Sequence, residues 1–150
     1  MKSVSLQNPS EAFSLLSGRM GRLLRLKFKK ELQKLNLTLH DRHFGVLLDL
    51  WSKDGLKQQD LAIATIKDKA TITRSLDELE KMKIIFRVSD QMDRRNNLIY
   101  LTITGKRLRE ILLPLINTIT HLALDGISSE EYKVFIKVLK KMYFNLKNPC

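Results

Sequence analysis

Cysteine, proline and glycine are all scarce in this chain, whose 150 residues include one Cys, three Pro and six Gly. The single cysteine, Cys150, cannot form an internal disulfide, which excludes a disulfide-stabilised scaffold and fits a reducing compartment. No long linker, repeat or low-complexity segment interrupts the chain. We therefore expect one domain over residues 1–150, and 43% hydrophobic residues are enough to give it a core.

Long apolar runs are missing as well. The longest wholly apolar stretch in the C-terminal half, residues 111–116, has six residues and contains Pro114, whereas a helix that spans a bilayer needs about 20. The first 13 residues contain no continuous apolar segment, so we expect no secretory signal and a cytoplasmic protein.

Acidic residues are outnumbered by basic ones. Lys and Arg total 27 and Asp and Glu total 16, which gives a net charge of +11. Such an excess favours a polyanionic partner, either nucleic acid or an anionic membrane surface, and charge alone does not choose between them.

Motifs that carry catalysis or hold a metal are also scarce. The sequence has no Gly-rich phosphate loop, no HExxH and no nucleophile elbow, so we expect no catalytic residue and no cofactor. His40 and His43 have a spacing that can place two metal ligands on one helix face, but His121 is predicted on another helix. Because a zinc site takes three or four convergent ligands, capping or surface roles are favoured for this histidine pair.

The hydrophobic pattern predicts a mainly α fold with a small β-hairpin. Apolar residues that recur at spacings near 3.6 predict helices at about residues 8–35, 39–52, 57–65, 69–82, 103–124 and 128–146. Runs of β-branched and aromatic residues predict strands at 86–89 and 98–101, separated by a polar tip at 90–97. Pro114 is expected to bend the fifth helix, because an interior proline removes a backbone hydrogen bond.

The most informative stretch runs from Asp60 to Arg95. Its order of helix, turn, helix and basic hairpin is that of a winged helix-turn-helix and indicates sequence-specific DNA binding. Short motifs within and after this stretch resemble, in their order and spacing, the MarR family of bacterial transcriptional regulators. They are LA at Leu61-Ala62, DK at Asp68-Lys69, TITR at Thr71–Arg74, LDELE at Leu76–Glu80, DRR at Asp93–Arg95, and LT at Leu101-Thr102 with Gly105.

The resemblance extends more weakly from about Thr38 to the C-terminus. It implies a DNA-binding lobe over about 38–103, with dimerisation helices over about 8–35 and 104–148. The sequence departs from the family pattern at Ile66 and Lys83, where glycine is common. Both departures put the local turn geometry in question, since a residue that follows a helix often adopts the left-handed region.

The helix at 69–82 supplies the candidates for base contact in the major groove. Arg74 is the strongest, because a guanidinium can donate two parallel hydrogen bonds to guanine O6 and N7. Ala70, Thr71 and Thr73 are small enough for close approach, with methyl groups suited to thymine and hydroxyls suited to bases or phosphates. Lys69 is expected to reach a phosphate.

The resemblance implies that the polar tip at about 90–97 is a wing, which enters the adjacent minor groove through Arg94 and Arg95. Arginines there respond to groove width and potential, which favours A·T-rich flanks. Asp93 is expected to pair with a neighbouring arginine and hold the wing in shape. The alternative for the arginine pair is a solvated turn.

The N- and C-terminal helices have more apolar faces than one small domain can cover, which favours an intertwined homodimer on a pseudo-palindromic operator. The alternative is that these helices cover the monomer's own core. The resemblance implies a repressor that is released by a small aromatic or phenolic effector. The candidate pocket residues, for which a core role is the alternative, are Phe13, Met20, Phe44 and Trp51.

Two other functions compete with a specific regulator. One is a nucleoid-type protein that binds all duplexes alike. The other is a membrane-surface or protein-interaction module that uses the basic helix with Arg19, Arg22, Arg25, Lys27, Lys29 and Lys30.

Overall fold

The computed structural model describes residues 8–93 and 96–147, and the predicted mainly α fold with a small β-hairpin is confirmed. None of the described helices is long and apolar enough to cross a membrane. The chain forms two compact units, residues 1–115 and 116–150. In chain order the elements are α1 (Pro9–Lys34), α2 (Asp41–Ser52), β1 (Leu56–Lys57), α3 (Gln58–Ala64), α4 (Lys69–Lys81), β2 (Ile85–Ser89), β3 (Asn97–Leu101), α5 (Ile103–Ala123) and α6 (Ser129–Lys147).

Side-chain caps begin the helices close to where the sequence predicts them. Asn8 Oδ1 accepts a hydrogen bond from the Ser10 N–H at 2.9 Å at the start of α1. At the start of α6, Glu131 Oε2 accepts from the Ser128 N–H at 2.9 Å, as expected for a capping box. The predicted start of α2 at residue 39 is two residues early, because His40 is the capping residue.

The sheet has one strand that the sequence did not predict. β1 pairs antiparallel with β3, Leu56 opposite Ile99, so the strand order is β1-β3-β2. The predicted start of this helix at Lys57 is one residue early, because α3 starts at Gln58 and Lys57 is its N-cap. A two-residue strand is too short to carry an alternating pattern, which is why periodicity missed it.

The core of the first unit lies between α2, α3, α4 and the sheet. The predicted stripe of α4, Ile72, Leu76 and Leu79, is fully buried. α5 continues through Pro114, and the bend predicted at that residue stays a prediction. The other buried apolar residues are Leu32, Val46, Leu47, Leu50, Leu61, Ile84, Ile85, Ile99, Leu101, Leu108 and Leu112.

Gly105 lets the start of α5 pack directly against the backbone that precedes β2. A Cβ at this position would lie 2.2 Å from the Ile84 carbonyl oxygen, well inside any allowed contact. On its other side, the Gly105 carbonyl accepts a hydrogen bond from Trp51 Nε1 at 3.0 Å. Glycine is thus required for α5 to keep its place in the first unit.

The two turns that lack the usual glycine keep the left-handed conformation all the same. Ile66 has φ 53° and Lys83 has φ 57°. Each turn closes with the bond pattern of a Schellman motif, in which the next residue donates back into the helix: Lys67 N–H to the Ala62 carbonyl at 3.1 Å, and Ile84 N–H to the Leu79 carbonyl at 2.9 Å. The cost is backbone strain, which is greatest for the β-branched Ile66.

Replacing Ile66 by glycine should therefore stabilise the protein. We expect Ile66→Gly to raise the free energy of unfolding by about 1 kcal/mol, since the left-handed strain of an L-residue costs about 1–2 kcal/mol. Urea unfolding followed by circular dichroism measures the change. The matched control is Ile63→Gly, also at an exposed isoleucine but inside α3, which should lower stability by about 0.5 kcal/mol. Loss of stability in both variants would contradict the strain argument.

Candidate nucleic-acid interface

α4 separates a buried face from a free one, as its sequence predicts. Lys69, Ala70 and Arg74 are exposed, whereas Ile72 and Leu76 lie in the core. The helix begins at Asp68, whose Oδ1 accepts from the Thr71 N–H at 2.8 Å. The hydrogen bonds from Thr71 also hold the pKa of the Asp68 carboxyl below its ordinary value. The predicted major-groove residues thus begin directly at a fixed helix start.

The hydroxyl protons of the two predicted threonines are already committed to bonds within the protein. Thr71 Oγ1 donates to Asp68 Oδ2 at 2.7 Å, and Thr73 Oγ1 donates to the Lys69 carbonyl at 2.8 Å. Thr73 Oγ1 also accepts from Gln58 Nε2 at 2.9 Å. Neither hydroxyl proton is therefore free to be donated to a base, while the exposed Arg74 and Lys69 can supply donors.

The three acidic residues of α4 are all paired with cations from other elements. Arg87 on β2 pairs with Asp77 at 2.7 Å and also with Glu80. Glu78 accepts from Arg42 on α2 at 2.6 Å. These pairs tie the second half of α4 to β2 on one side and to α2 on the other.

Glu78 is the centre of a partly buried cluster. His43, which is only 1% exposed, donates from Nε2 to Glu78 Oε2 at 2.7 Å, and its Nδ1 accepts from the His40 N–H at 3.2 Å. The ring is therefore neutral, and the capping role expected of the histidine pair is confirmed. Burial lowers the pKa of His43 despite the opposing effect of Glu78. The hydrogen bond from Arg42 holds the pKa of Glu78 below its ordinary value.

Two aspartates hold the hairpin, one directly after β2 and one at the tip. Asp90 is buried and accepts from the Met92 N–H at 2.9 Å and from Lys57 Nζ at 3.1 Å, and these contacts lower its pKa. Asp93 Oδ2 accepts from Asn96 Nδ2 at 2.8 Å, which closes the tip. The predicted DNA contacts Arg94 and Arg95 lie outside the described residues, and so does the predicted pairing of Asp93 with one of them.

The predicted pocket residues are only partly brought together. Phe44 contacts Phe28 and Trp51, with ring centroids 4.5 Å and 6.4 Å away. Phe13 and Met20 are 46% and 45% exposed on α1. Phe13 precedes Phe28 by 15 residues, about 22 Å along a helix, so the structure does not place it beside Phe44. Trp51 instead lines a cavity of about 630 Å³ together with Lys106, Arg109 and Pro114.

A helix pair whose second helix has a free basic face, followed by a hairpin, defines a winged helix-turn-helix protein. Within this class, the chain is similar to the MarR family of transcriptional regulators. The MarR family model matches residues 39–96, which run from just before α2 to the hairpin tip.

Individual transcriptional regulators are similar to the chain as well. The chain is 26% identical to the transcriptional regulator HosA of Escherichia coli O157:H7, over 66% of this chain and 73% of HosA. It is 26% identical to the transcriptional repressor NicR of Pseudomonas putida, over 83% of this chain and 82% of NicR. The Staphylococcus aureus MepR–DNA complex superposes with a TM-score of 0.78 at 27% identity, covering 89% of this chain and 97% of that one.

The His43 cluster makes the stability of the fold sensitive to acid. The folded pKa of His43 lies below that of the unfolded chain, so the unfolded chain binds the proton first as the pH falls. Stability should therefore fall as the pH drops from about 7 through the ordinary histidine pKa of about 6.5. We expect His43→Gln, which keeps a donor and an acceptor, to flatten this slope between about pH 7 and 5, as measured by urea midpoints.

The variant His121→Gln serves as the control, because it removes an exposed histidine from α5. It separates loss of the buried ring from loss of any histidine. A wild-type slope that His43→Gln leaves intact would show that the acid sensitivity arises elsewhere.

Proposed function

We propose that the protein is a cytoplasmic, dimeric regulator that binds double-stranded DNA sequence-specifically and represses transcription until a small ligand releases it. The observation that carries the proposal is the free face of α4, on which Lys69, Ala70 and Arg74 are exposed while every acid of the helix is paired. Because these acids are paired, they repel phosphate less when that face enters a major groove. The net charge of +11 supports the same partner.

Within this interface the residues have different roles. Arg74 reads guanine through two parallel hydrogen bonds, and Lys69 binds phosphate. Ala70 together with the methyl groups of Thr71 and Thr73 packs against thymine methyls. Arg94 and Arg95 enter the minor groove from a tip that Asp93 shapes through Asn96.

A second copy of the chain completes the molecule. None of the residues of α6, all of which the structure describes, is buried, and α1 exposes Phe13, Leu16 and Leu23. Apolar surface on this scale is typical of a dimer interface. Sedimentation equilibrium should give twice the 17.4 kDa chain mass, and Phe135→Glu with Leu139→Glu on α6 should give monomers. A monomeric wild type would refute this assembly.

The cavity beside Trp51 supports the ligand-responsive part of the proposal. It is large enough for a small aromatic molecule, and its lining carries two cations, Lys106 and Arg109, and two carboxylates, Asp54 and Glu110. Trp51 is the only tryptophan, so its fluorescence reports occupancy. Benzoate and phenol are suitable probes; unchanged fluorescence together with unchanged DNA affinity would argue against a ligand of this class.

The specific-regulator proposal is tested by fluorescence anisotropy on two duplexes of equal length, one recovered by selection from a random library and one scrambled. We expect Arg74→Ala to cost about 1–3 kcal/mol on the selected duplex and much less on the scrambled one, because it removes both hydrogen bonds to guanine. Arg107→Ala removes an exposed arginine of α5 and is the control for the change in charge. Equal affinity of the wild type for both duplexes would instead indicate a nucleoid-type binder.

Binding of DNA by the wing should be visible in how the affinity depends on salt. Arg94→Ala with Arg95→Ala should weaken binding to both duplexes and flatten the dependence of affinity on salt, by about 0.9 in the logarithmic slope for each phosphate that is no longer neutralised. Arg19→Ala with Arg22→Ala removes the same charge from α1 and should retain the slope. An unchanged slope in the wing variant would exclude binding of the wing to DNA.

A further inference from the structure

A second cleft lies beside the free face of α4. It has a volume of about 450 Å³ and is formed by the start of α3, the start of α4 and the start of β3. Five of the seven lining residues have polar or cationic side chains, namely Gln58, Gln59, Lys69, Asn96 and Asn97. No carboxylate is found in this lining among the residues that the structure describes.

This chemistry suits an anion better than an apolar or cationic ligand. Four amide side chains offer N–H donors, and Lys69 adds a positive charge at the same place. Among the acids nearby in sequence, Asp68 accepts from Thr71, Asp90 pairs with Lys57, and Asp93 accepts from Asn96. Asp60, in the first turn of α3, is exposed and is not part of the lining. An anion in the cleft would therefore meet donors and little repulsion.

One of the amides is connected to the free face of α4. Gln58 Nε2 donates to Thr73 Oγ1 at 2.9 Å, and the same hydroxyl donates to the Lys69 carbonyl at 2.8 Å. This bond uses one of the two N–H groups of the Gln58 amide. The remaining N–H and the Lys69 ammonium are available to a ligand in the cleft.

The position of the cleft identifies the anion. It lies between α4, whose free face is proposed to enter the major groove, and the tip of the hairpin, which is proposed to enter the neighbouring minor groove. A duplex that touches both must carry its sugar-phosphate backbone across the ridge between the two grooves. The first helix of a helix-turn-helix crosses the backbone at such a place.

We propose that this cleft binds one backbone phosphate in each half-site and that Gln58 couples the phosphate to Thr73 on α4. Lys69 and the remaining N–H of Gln58 hold the phosphate oxygens. The Gln58–Thr73 hydrogen bond then fixes the depth at which α4 sits relative to the DNA backbone. The inference rests on the proposed function, since it assigns one contact within that same DNA complex.

The test uses the selected duplex with a single neutral methylphosphonate at each backbone position in turn. For the wild type, we expect one position per half-site at which neutralisation weakens binding strongly. Gln58→Ala should weaken binding to the unmodified duplex about tenfold, the loss of one hydrogen bond to a charged group. On the duplex with the methylphosphonate at that position, Gln58→Ala should cause little further loss, because the charged acceptor is already absent.

Two further variants test the other members of the phosphate site. Lys69→Met should likewise weaken binding to the unmodified duplex and cause little further loss on the duplex with the methylphosphonate at that position. Thr73→Val cannot accept the bond from Gln58, so in its background the loss caused by Gln58→Ala should depend less on that phosphate. Gln33→Ala, an exposed glutamine of α1, is the matched control and should behave as the wild type on every duplex.

The outcomes separate this inference from the proposed function. If Gln58→Ala binds as tightly as the wild type, or weakens binding equally on every modified duplex, the phosphate site is refuted while specific DNA binding stands. If the wild type recovers no preferred duplex in the selection, the proposed function fails and the phosphate site fails with it.

Discussion

The charged contact between α2 and α4 is the constraint on which the candidate interface depends. Glu78 lies on the helix that is proposed to enter DNA, where an unpaired carboxylate would repel phosphate. Arg42 and the buried ring of His43 satisfy it from α2, at 2.6 and 2.7 Å. Arg87 does the same for Asp77 and Glu80 from β2. The paired acids of α4 therefore repel phosphate less, and their ion pairs act as anchors that help to set the orientation of the helix.

The anchors explain why one face of α4 remains available. The apolar stripe alone would hold the helix against the core, but it leaves rotation about the helix axis and sliding along it weakly defined. Charge-assisted bonds on both flanks restrict these motions, because each has a narrow range of distance and angle. The Asp68 cap restricts the other end of the helix. Arg74 therefore projects from a helix that is fixed before any DNA arrives.

The sequence predicted those parts of the fold that local patterns encode, and missed those that depend on partners far along the chain. The buried and free faces of α4 follow from a 3.6-residue period, and its start follows from Asp68, so both were predictable. The pairing of Glu78 with Arg42 and His43 was not, because residues 35 and 36 positions apart meet only through tertiary packing. The internal hydrogen bonds of the Thr71 and Thr73 hydroxyls were not predicted, although their partners are close in sequence. Short polar side chains bond to nearby acceptors, and treating these hydroxyls as donors to DNA overlooked that competition.

Gly105 has a mechanical consequence for the proposed dimer, in which each copy carries one winged-helix lobe. Its missing side chain lets α5 rest on the Ile84 carbonyl, and the Trp51 bond clamps the same residue from the other side. The first turns of α5 are therefore expected to move together with the winged-helix lobe, as one rigid body. In the proposed dimer, a ligand that changed the distance between the two lobes would therefore have to move the start of α5 and its lobe together.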